Sequence, residues 1–221
     1  MGRGMWLRWA RERYRIAQYF IPMCEAIVDV ARRMGDETIA AVVEDNIRDE
    51  KGLNDPAAGS HESWRIDFYA ALGADAGVLQ ADAPPLLEGT RAFSAVAAQL
   101  KSDGDPFVMI GALWFLEVTI PHEYKFLLRG LELGFPKTFS IAEEDGGATP
   151  EKLKTRRYLD DHIYHDAAHH AKDLYLALAR YADDAAVLAH LRQGCEIMLA
   201  AKCRFYEDLE TIALAGLSAA A

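Results

Sequence analysis

Apolar residues recur along this chain at the three- and four-residue spacing of an amphipathic helix, whereas alternating β-branched runs are scarce. Ala and Leu, which favour helices, are abundant. The pattern predicts an all-α protein with about seven helices. The predicted helices run over Arg3 to Met34, Asp36 to Lys51, His61 to Leu72, Pro84 to Leu100, Pro106 to Gly130, Pro150 to Tyr181 and Ala185 to Ala213.

Helix boundaries carry signals of their own. Asp105-Pro106 and Thr149-Pro150 each fit an N-cap followed by proline at the first helical position, and Ser60 can cap the helix after it. No linker divides the chain, and 221 residues are a comfortable size for one hydrophobic core. We therefore predict a single domain, residues 1–221.

Four of the seven histidines fall within nine residues, 162–170. On a helix, His162, Asp166 and His169 share one stripe, and a carboxylate between two imidazoles is a metal-ligand arrangement. His165 and His170 lie at the edges of that stripe, where an outer-shell or surface role is expected. Without cysteine ligands, the cluster favours iron, manganese, cobalt or zinc over a structural zinc or an iron–sulfur cluster.

Glu117 is the one acidic residue of the apolar run from Phe107 to Ile120. A buried ionised carboxylate without a partner costs several kcal/mol, so Glu117 must be protonated, paired with a cation or bound to metal. A salt bridge to an arginine is the alternative. The run is too short to span a membrane.

Glu50 and His61 form a third pair across a short connection. Glu50 falls on the apolar face of its helix, and Gly52 ends that helix before a turn. His61 belongs with Trp64 and Phe68 on the inward face of the next helix, where a histidine can also be an ordinary hydrogen-bonded core residue. Both side chains are expected to point inward.

These observations give six candidate ligands from four predicted helices, enough for two metal ions with open positions. The candidate metal ligands are Glu50, His61, Glu117, His162, Asp166 and His169. The ferritin-like arrangement instead repeats Glu-x-x-His on two helices, and this chain has no Glu-x-x-His.

Three motifs in this order resemble the heme-oxygenase-like diiron oxidases and oxygenases, often labelled iron-containing redox enzymes. The first is Asn46-Ile-Arg-Asp-Glu50-Lys-Gly52 followed by His61. The second is Glu117 in an apolar helix, and the third is His162-x-x-x-Asp166-x-x-His169. The resemblance spans most of the chain and implies a heme-oxygenase-like helical bundle in which these positions ligate two Fe(II) ions that activate O2.

Known members of that family oxygenate nitrogen in amines or amino acids, cleave carbon–carbon bonds, decarboxylate fatty acids or make a cofactor at their own expense. The resemblance therefore implies an O2-dependent oxidase or oxygenase acting on a small amine or amino-acid-derived substrate in specialised metabolite biosynthesis. Two other classes stay open: a thiaminase-like or cofactorless enzyme of the same bundle superfamily, and a non-enzymatic iron-binding protein.

Two features depart from the family pattern. The spacing from Glu50 to His61 is longer than in some members, and His122, five residues after Glu117, competes for a ligand or substrate role. A substrate carboxylate would need a cation, and the basic residues near the motifs are Arg65, Lys125, Arg129 and Arg157. Each of these is otherwise expected to be a surface charge.

The net charge of −10 disfavours nucleic acid as a partner. Near the start of the chain we expect Trp6, Tyr14, Ile16 and Tyr19 to pack on the bundle while the arginines face water, which argues against membrane binding. The early charges do not fit a signal peptide, and three cysteines without zinc spacing suit reduced thiols in the cytoplasm. A homodimer is left open, because such bundles often dimerise.

Overall fold

The computed structural model describes residues 3–82, 84–103 and 105–218, apart from the side chains at 103, 166–168 and 215–218. These ranges are mostly helical and contain no strand, so the predicted all-α class is confirmed. The α-helices are α1 (Arg3–Ala17), α2 (Phe20–Arg33), α3 (Glu37–Glu50), α4 (His61–Ala71), α5 (Ala76–Gln80), α6 (Glu88–Asp103), α7 (Pro106–Gly134), α8 (Pro136–Phe139), α9 (Pro150–Ala168), α10 (His170–Leu178) and α11 (Ala185–Ser218). Short 3₁₀ turns follow α8 and α10.

The first predicted helix is two helices, α1 and α2, because the chain turns between Ala17 and Phe20. Pro22 explains the break. In a continuous helix its ring would clash with the carbonyl group of Gln18, four residues earlier, whereas within the first turn of α2 it needs no hydrogen-bond acceptor. The prediction of one helix from Arg3 to Met34 overlooked this proline.

The predicted helix from Pro150 to Tyr181 is also interrupted, at His169, where φ is −117° and ψ is −73°. No glycine or proline stands at this position. One residue outside the regular helix changes the register, so that His170 begins α10 with 7% of its surface exposed while His169 is exposed. The short helices α5 and α8 were not predicted.

Side-chain caps fix the starts of several helices. Ser60, Asp105 and Thr149 accept hydrogen bonds from Ser63, Phe107 and Lys152 respectively, as predicted. Each cap satisfies a backbone N–H that lacks a helical acceptor, which typically stabilises a helix by about 1 kcal/mol. The caps at Ser60 and Thr149 begin α4 and α9, which carry His61, His162 and His165 of the site described below.

The long helices α7 and α11 form the densest part of the core. A β-carbon on Gly111 would meet the carbonyl oxygen of Leu191, and one on Gly194 would meet that of Val108. Only glycine permits this backbone approach. On α7, Met109, Ile110, Ala112 and Leu113 are at most 1% exposed, so this helix fixes the depth at which Glu117, two turns later, stands in the bundle.

Helix α1 packs on the bundle through Trp6, Tyr14 and Ile16, as predicted, whereas Tyr19, which was expected to pack as well, is 38% exposed beyond the end of the helix. Its arginines differ from the prediction, because Arg11 is 3% exposed and Arg13 is 9% exposed. Arg11 donates to the backbone oxygen of Ala81, and Arg13 donates to the Tyr124 hydroxyl. These acceptors compensate the loss of water. Within the described part of the chain, no helix combines the length and apolar character that crossing a membrane requires.

Candidate metal centre

Five helices bring acidic and imidazole side chains to one place in the bundle. Asp49 and Glu50 end α3, and His61 is the first residue of α4. The intervening loop is tight, because Gly52 has a φ of +69° and a β-carbon there would lie 2.6 Å from the carbonyl oxygen of Gly59. Glycine tolerates both conditions. The loop therefore brings Glu50 and His61 into contact although eleven positions separate them.

Glu50, His61 and His162 form what we call the inner group, whose ligand atoms lie within 4.8 Å of one another. His61 Nδ1 lies 3.0 Å from Glu50 Oε1, and His162 Nε2 lies 4.0 Å from the same oxygen. The two imidazoles are 0% and 5% exposed. Three of the six predicted ligands are thus brought together from α3, α4 and α9.

His162 is oriented by the backbone of its own helix. Its Nδ1 lies 2.7 Å from the carbonyl oxygen of Tyr158, so Nδ1 carries the proton and donates it, while Nε2 turns an unprotonated lone pair towards Glu50. Burial, and next the charge of His61, lower the pKa of His162 to about 3. The imidazole is therefore neutral at physiological pH, the state that a metal ligand requires.

Glu50 is held in its ionised form. Burial by itself would raise the pKa of this carboxyl group, but the charge of His61 and its hydrogen bond outweigh that effect and lower the pKa to about 2. A carboxylate beside two inward-facing imidazoles is a set of hard and borderline donors that suits iron, manganese or zinc. The inner group is therefore chemically ready for a divalent cation.

Asp49, His165 and His170 form a second set, which we call the outer group. Asp49 Oδ2 lies 3.5 Å from His165 Nε2 and 3.4 Å from His170 Nε2. The same oxygen lies 3.7 Å from His61 Nε2, so it adjoins the inner group. Contact with His170 is the main cause that lowers the pKa of Asp49, and burial opposes it. One carboxylate oxygen is thus surrounded by three imidazole nitrogens.

Glu117 lies on α7 beside the outer group and is 2% exposed. Its Oε1 accepts a hydrogen bond of 2.7 Å from the side chain of Asn46, and its Oε2 lies 3.9 Å from His170 Nδ1. Burial raises the pKa of Glu117. Glu117 therefore faces an amide and an imidazole. The alternative prediction, a salt bridge to an arginine, is not seen among the described residues.

The predicted ligands are not all brought together. Glu50, His61 and His162 meet, and Glu117 contacts His170 at the far side of the outer group. His169 is exposed and stacks on His165 with ring centroids 4.4 Å apart. The side chain of Asp166 lies outside the described residues. His122 is exposed and lines a different groove, next to Phe126, so it does not reach this centre.

Three residues with inward roles were not among the predicted ligands. Asp161 Oδ2 lies 3.0 Å from His61 Nε2, Asp49 adjoins three imidazoles, and His170 is buried where a surface or outer-shell role was expected. Asp161 and Asp49 each precede a predicted ligand directly in the sequence. Helical spacing turns such neighbours by about 100° around the helix, so each aspartate lies beside its predicted ligand rather than opposite it and can still face the centre.

The arrangement fits a divalent cation. Donor atoms bound at about 2.0–2.2 Å to one ion lie roughly 3.0–3.5 Å from one another, which is the range of most separations given above. Among the described residues, Asp49 Oδ2 and Asp161 Oδ2 are buried without a well-aligned hydrogen bond, although imidazole nitrogens lie close. A cation would bind these oxygens together with the neighbouring imidazoles, in keeping with the need of buried polar groups for partners.

A cavity of about 60 Å³ adjoins the inner group. Glu50, His162 and Glu117 line it, and the remaining polar lining residues are Arg13, Tyr19, Arg65, Tyr124 and Tyr158. The rest of the wall is apolar and includes Ile16, Met23, Leu116 and Met198. The inner group therefore opens onto a small pocket of mixed character.

Solved structures with a similar fold were found at low sequence identity. A CADD-like protein of unknown function from Nostoc punctiforme aligns with a TM-score of 0.73 and 18% identity, covering 96% of this chain and 84% of that one. A TenA homolog from Pseudomonas syringae pv. tomato aligns with a TM-score of 0.72 and 16% identity, covering 96% and 81%. A comparison with curated proteins finds no match.

These likenesses define a heme-oxygenase-like helical bundle, as the sequence motifs implied. The sequence model of the iron-containing redox enzymes matches residues 7–202, most of the chain. The chain therefore belongs to the iron-containing redox enzyme family. Its candidate acidic and histidine clusters agree with iron binding.

Proposed function

We propose that this protein is a non-heme diiron enzyme, an O2-dependent oxidase or oxygenase. Its substrate would be a small amine or amino-acid-derived compound that undergoes N-oxygenation or oxidative cleavage of a C–C or C–N bond. The observation that carries the proposal is that the inner and outer groups adjoin through Asp49 and His61. Two ions held side by side need about three protein ligands each, with ligands near both ions.

The inner group would hold the first Fe(II) ion. For the second ion, two donor sets compete. The sequence motif and its family resemblance favour Asp166 and His169 together with Glu117. The side-chain placement instead favours Asp49 and His170, with Glu117 at 3.9 Å from His170. The two sets take their carboxylate from different helices, and their histidines are sequence neighbours at the break between α9 and α10, so a direct comparison of His169 and His170 variants decides between them.

The protein residues would prepare the site before any reaction begins. Two bound ferrous ions supply electrons and open positions for O2. The neutral His162 offers Nε2, since its Nδ1 proton is held by the Tyr158 carbonyl group. Glu50 stays ionised and would contribute negative charge as a ligand beside the bound cation. The apolar wall of the cavity keeps bulk water from the reacting substrate.

Oxygen uptake tests the proposal. Protein loaded anaerobically with Fe(II) is mixed with O2 alone and with a panel of amines and amino acids, while dissolved O2 and remaining ferrous iron are followed. We expect uptake that is stimulated by a substrate and abolished in metal-free protein and in His61→Ala. His122→Ala, which alters an exposed histidine of a different groove, is the matched control and should behave as wild type.

A thiaminase-like or cofactorless enzyme is the second candidate, and the fold shared with a TenA homolog supports it. The acid–imidazole contacts of the site would then bind substrate directly. Failure to bind Fe(II) would favour this candidate over the first. Iron binding without O2 uptake under any substrate would instead favour a non-enzymatic iron-binding protein.

A further inference from the structure

Arg65 is a buried cation that makes no close ion pair. It is 8% exposed, and its Nε atom is buried and makes no hydrogen bond. Among the residues that the structure describes, no carboxylate lies within ion-pair distance of it. Its guanidinium group lies 6.0 Å from the centre of the Tyr14 ring, and the charge of Glu50 acts on it from farther away. Guanidinium groups remain charged in proteins and carry five donors, so a buried one requires acceptors.

Other buried arginines have such acceptors. Arg13 donates to the Tyr124 hydroxyl at 2.9 Å, and Arg11 donates to a backbone oxygen at 2.9 Å. Arg156 donates to Glu132 at 2.9 Å and pairs with Asp160 at 3.2 Å. Arg65 differs from all three, so within the described residues its donors remain available for an acceptor on a bound ligand.

The position of Arg65 on α4 indicates where an acceptor for its guanidinium group would lie. Arg65 stands four residues after His61 on α4, so the two side chains share a helix face. Arg65 lines the cavity beside the inner group together with Glu50 and His162. A ligand paired with Arg65 would therefore lie next to the candidate metal ligands.

The cavity offers a second donor. Tyr124 and Tyr158 line it, and their hydroxyl oxygens are 3.1 Å apart. The hydrogen bond between the two hydroxyl groups uses one of their two protons, whichever tyrosine donates. Arg13 donates to the Tyr124 hydroxyl and therefore does not accept the other proton. One hydroxyl proton is left for an oxygen atom in the cavity. A cation and a hydroxyl donor that line the same cavity match the two oxygens of a carboxylate.

The acidic residues of the same cavity make their close contacts with other groups, although the charge of Glu50 also acts on Arg65. Glu50 faces His61 at 3.0 Å, and Glu117 accepts from Asn46 at 2.7 Å. Apolar side chains, including Ile16, Phe93 and Met198, complete the wall. The volume of about 60 Å³ suits a short carbon skeleton and not a long chain.

We propose that Arg65 is the carboxylate anchor of the substrate pocket, and that the substrate class is a small carboxylic acid with a short apolar body, as in an amino acid with an aliphatic side chain. The proposal that this acid reacts with O2 rests on the proposed function, whereas the proposal that Arg65 binds its carboxylate does not. The anchor fixes the acid at one end and leaves the remainder of the molecule beside the inner group.

Isothermal titration with 3-methylbutanoate and with its uncharged counterpart 3-methylbutanamide tests this anchor. Both probes are titrated into the full-length protein, once loaded anaerobically with Fe(II) and once metal-free. For wild type we expect the acid to bind about tenfold or more tightly than the amide in both forms, because hydrogen bonds to charged groups are the stronger ones. In Arg65→Gln the preference for the acid should disappear, while Arg65→Lys should retain part of it.

Arg129→Gln is the matched control, since the Arg129 side chain is 69% exposed, and it should keep the full preference. Equal binding of acid and amide by wild type would overturn the proposal without any variant. A preference that survives in folded Arg65→Gln, with an unchanged circular dichroism spectrum, would overturn it as well. If metal-free protein prefers the acid but no iron binds, the anchor stands and the diiron proposal fails.

Discussion

The inner and outer groups differ in how firmly the chain positions their ligands. Glu50, His61 and His162 stand on three regular helices, and both imidazoles of this group are at most 5% exposed. The outer group straddles the break at His169, and the side chain of His165 is 41% exposed. A ligand site built on regular, buried helices is better preorganised than one at a helix interruption. We therefore expect two iron sites of unequal affinity.

His61→Ala should have the largest effect on iron binding. Its two ring nitrogens lie 3.0 Å from Glu50 and 3.0 Å from Asp161, and Nε2 lies 3.7 Å from Asp49. Its removal therefore disturbs both groups. We expect Fe(II) affinity to fall more than about 100-fold at the tighter site, since loss of an outer-shell partner alone costs 10–100-fold. Anaerobic titration of ferrous iron measures the effect.

His122→Ala is the control for that variant and should bind iron as wild type does. Wild-type affinity in His61→Ala would contradict the assignment of the inner group as a metal site.

His170→Ala and His169→Ala separate the two donor sets for the second ion. If the metal-bound protein keeps the break at His169 that places His170 inward, His170→Ala should bind one iron per chain, whereas His169→Ala should bind two. The reason is that His170 is 7% exposed beside Asp49, whereas His169 is exposed. Elemental analysis after anaerobic loading and desalting gives the stoichiometry. The reverse result would favour Asp166 and His169, on a helix that continues past residue 168.

The inner group should dominate the pH dependence of stability in metal-free protein. Its Glu50 has a pKa lowered from 4.5 to about 2, and its His162 a pKa lowered from 6.5 to about 3. Below the unfolded pKa values the unfolded chain binds protons that the folded chain does not, so stability is lost as pH falls. We expect the free energy of unfolding to decrease by a few kcal/mol between about pH 6.5 and pH 3.

Urea unfolding at several pH values measures this loss. His162→Gln should flatten the profile above pH 4, because the substituted side chain does not titrate. An unchanged profile in that variant would assign the pH dependence to other groups.

Asn46→Leu should have the smallest effect and should act on the weaker iron site. Asn46 donates to Glu117 at 2.7 Å and touches no ligand of the inner group in any recorded hydrogen bond of the described residues. Loss of that hydrogen bond should weaken the second iron by about tenfold and leave the first unchanged. An equal effect on both irons would show that Glu117 serves the two sites alike.

The sequence alone predicted most of the helices and the caps at Ser60, Asp105 and Thr149, because these rest on local spacing and local hydrogen bonds. It also predicted that Glu50 and His61 point inward. The break before Pro22 could have been predicted from the sequence, because a proline clashes with the helical carbonyl group four residues before it. The prediction overlooked this signal.

The outer group could not be predicted in the same way. Nothing local distinguishes His169 from His170, so the choice between them depends on how α10 packs against α3 and α7. Asp49 was not predicted as a ligand because Glu50 was assigned to the inward face of the helix, and helical spacing assigns adjacent residues to different faces. Arg65 was expected at the surface, and only the tertiary structure reveals that it is buried beside the inner group.

The most direct test of the diiron account is an anaerobic titration of metal-free, full-length protein with Fe(II), followed by calorimetry and by elemental analysis of the desalted complex. The account predicts two irons per chain that bind with distinguishable affinities, the tighter one lost in His61→Ala. No binding, or a single iron per chain in the wild-type protein, would contradict it.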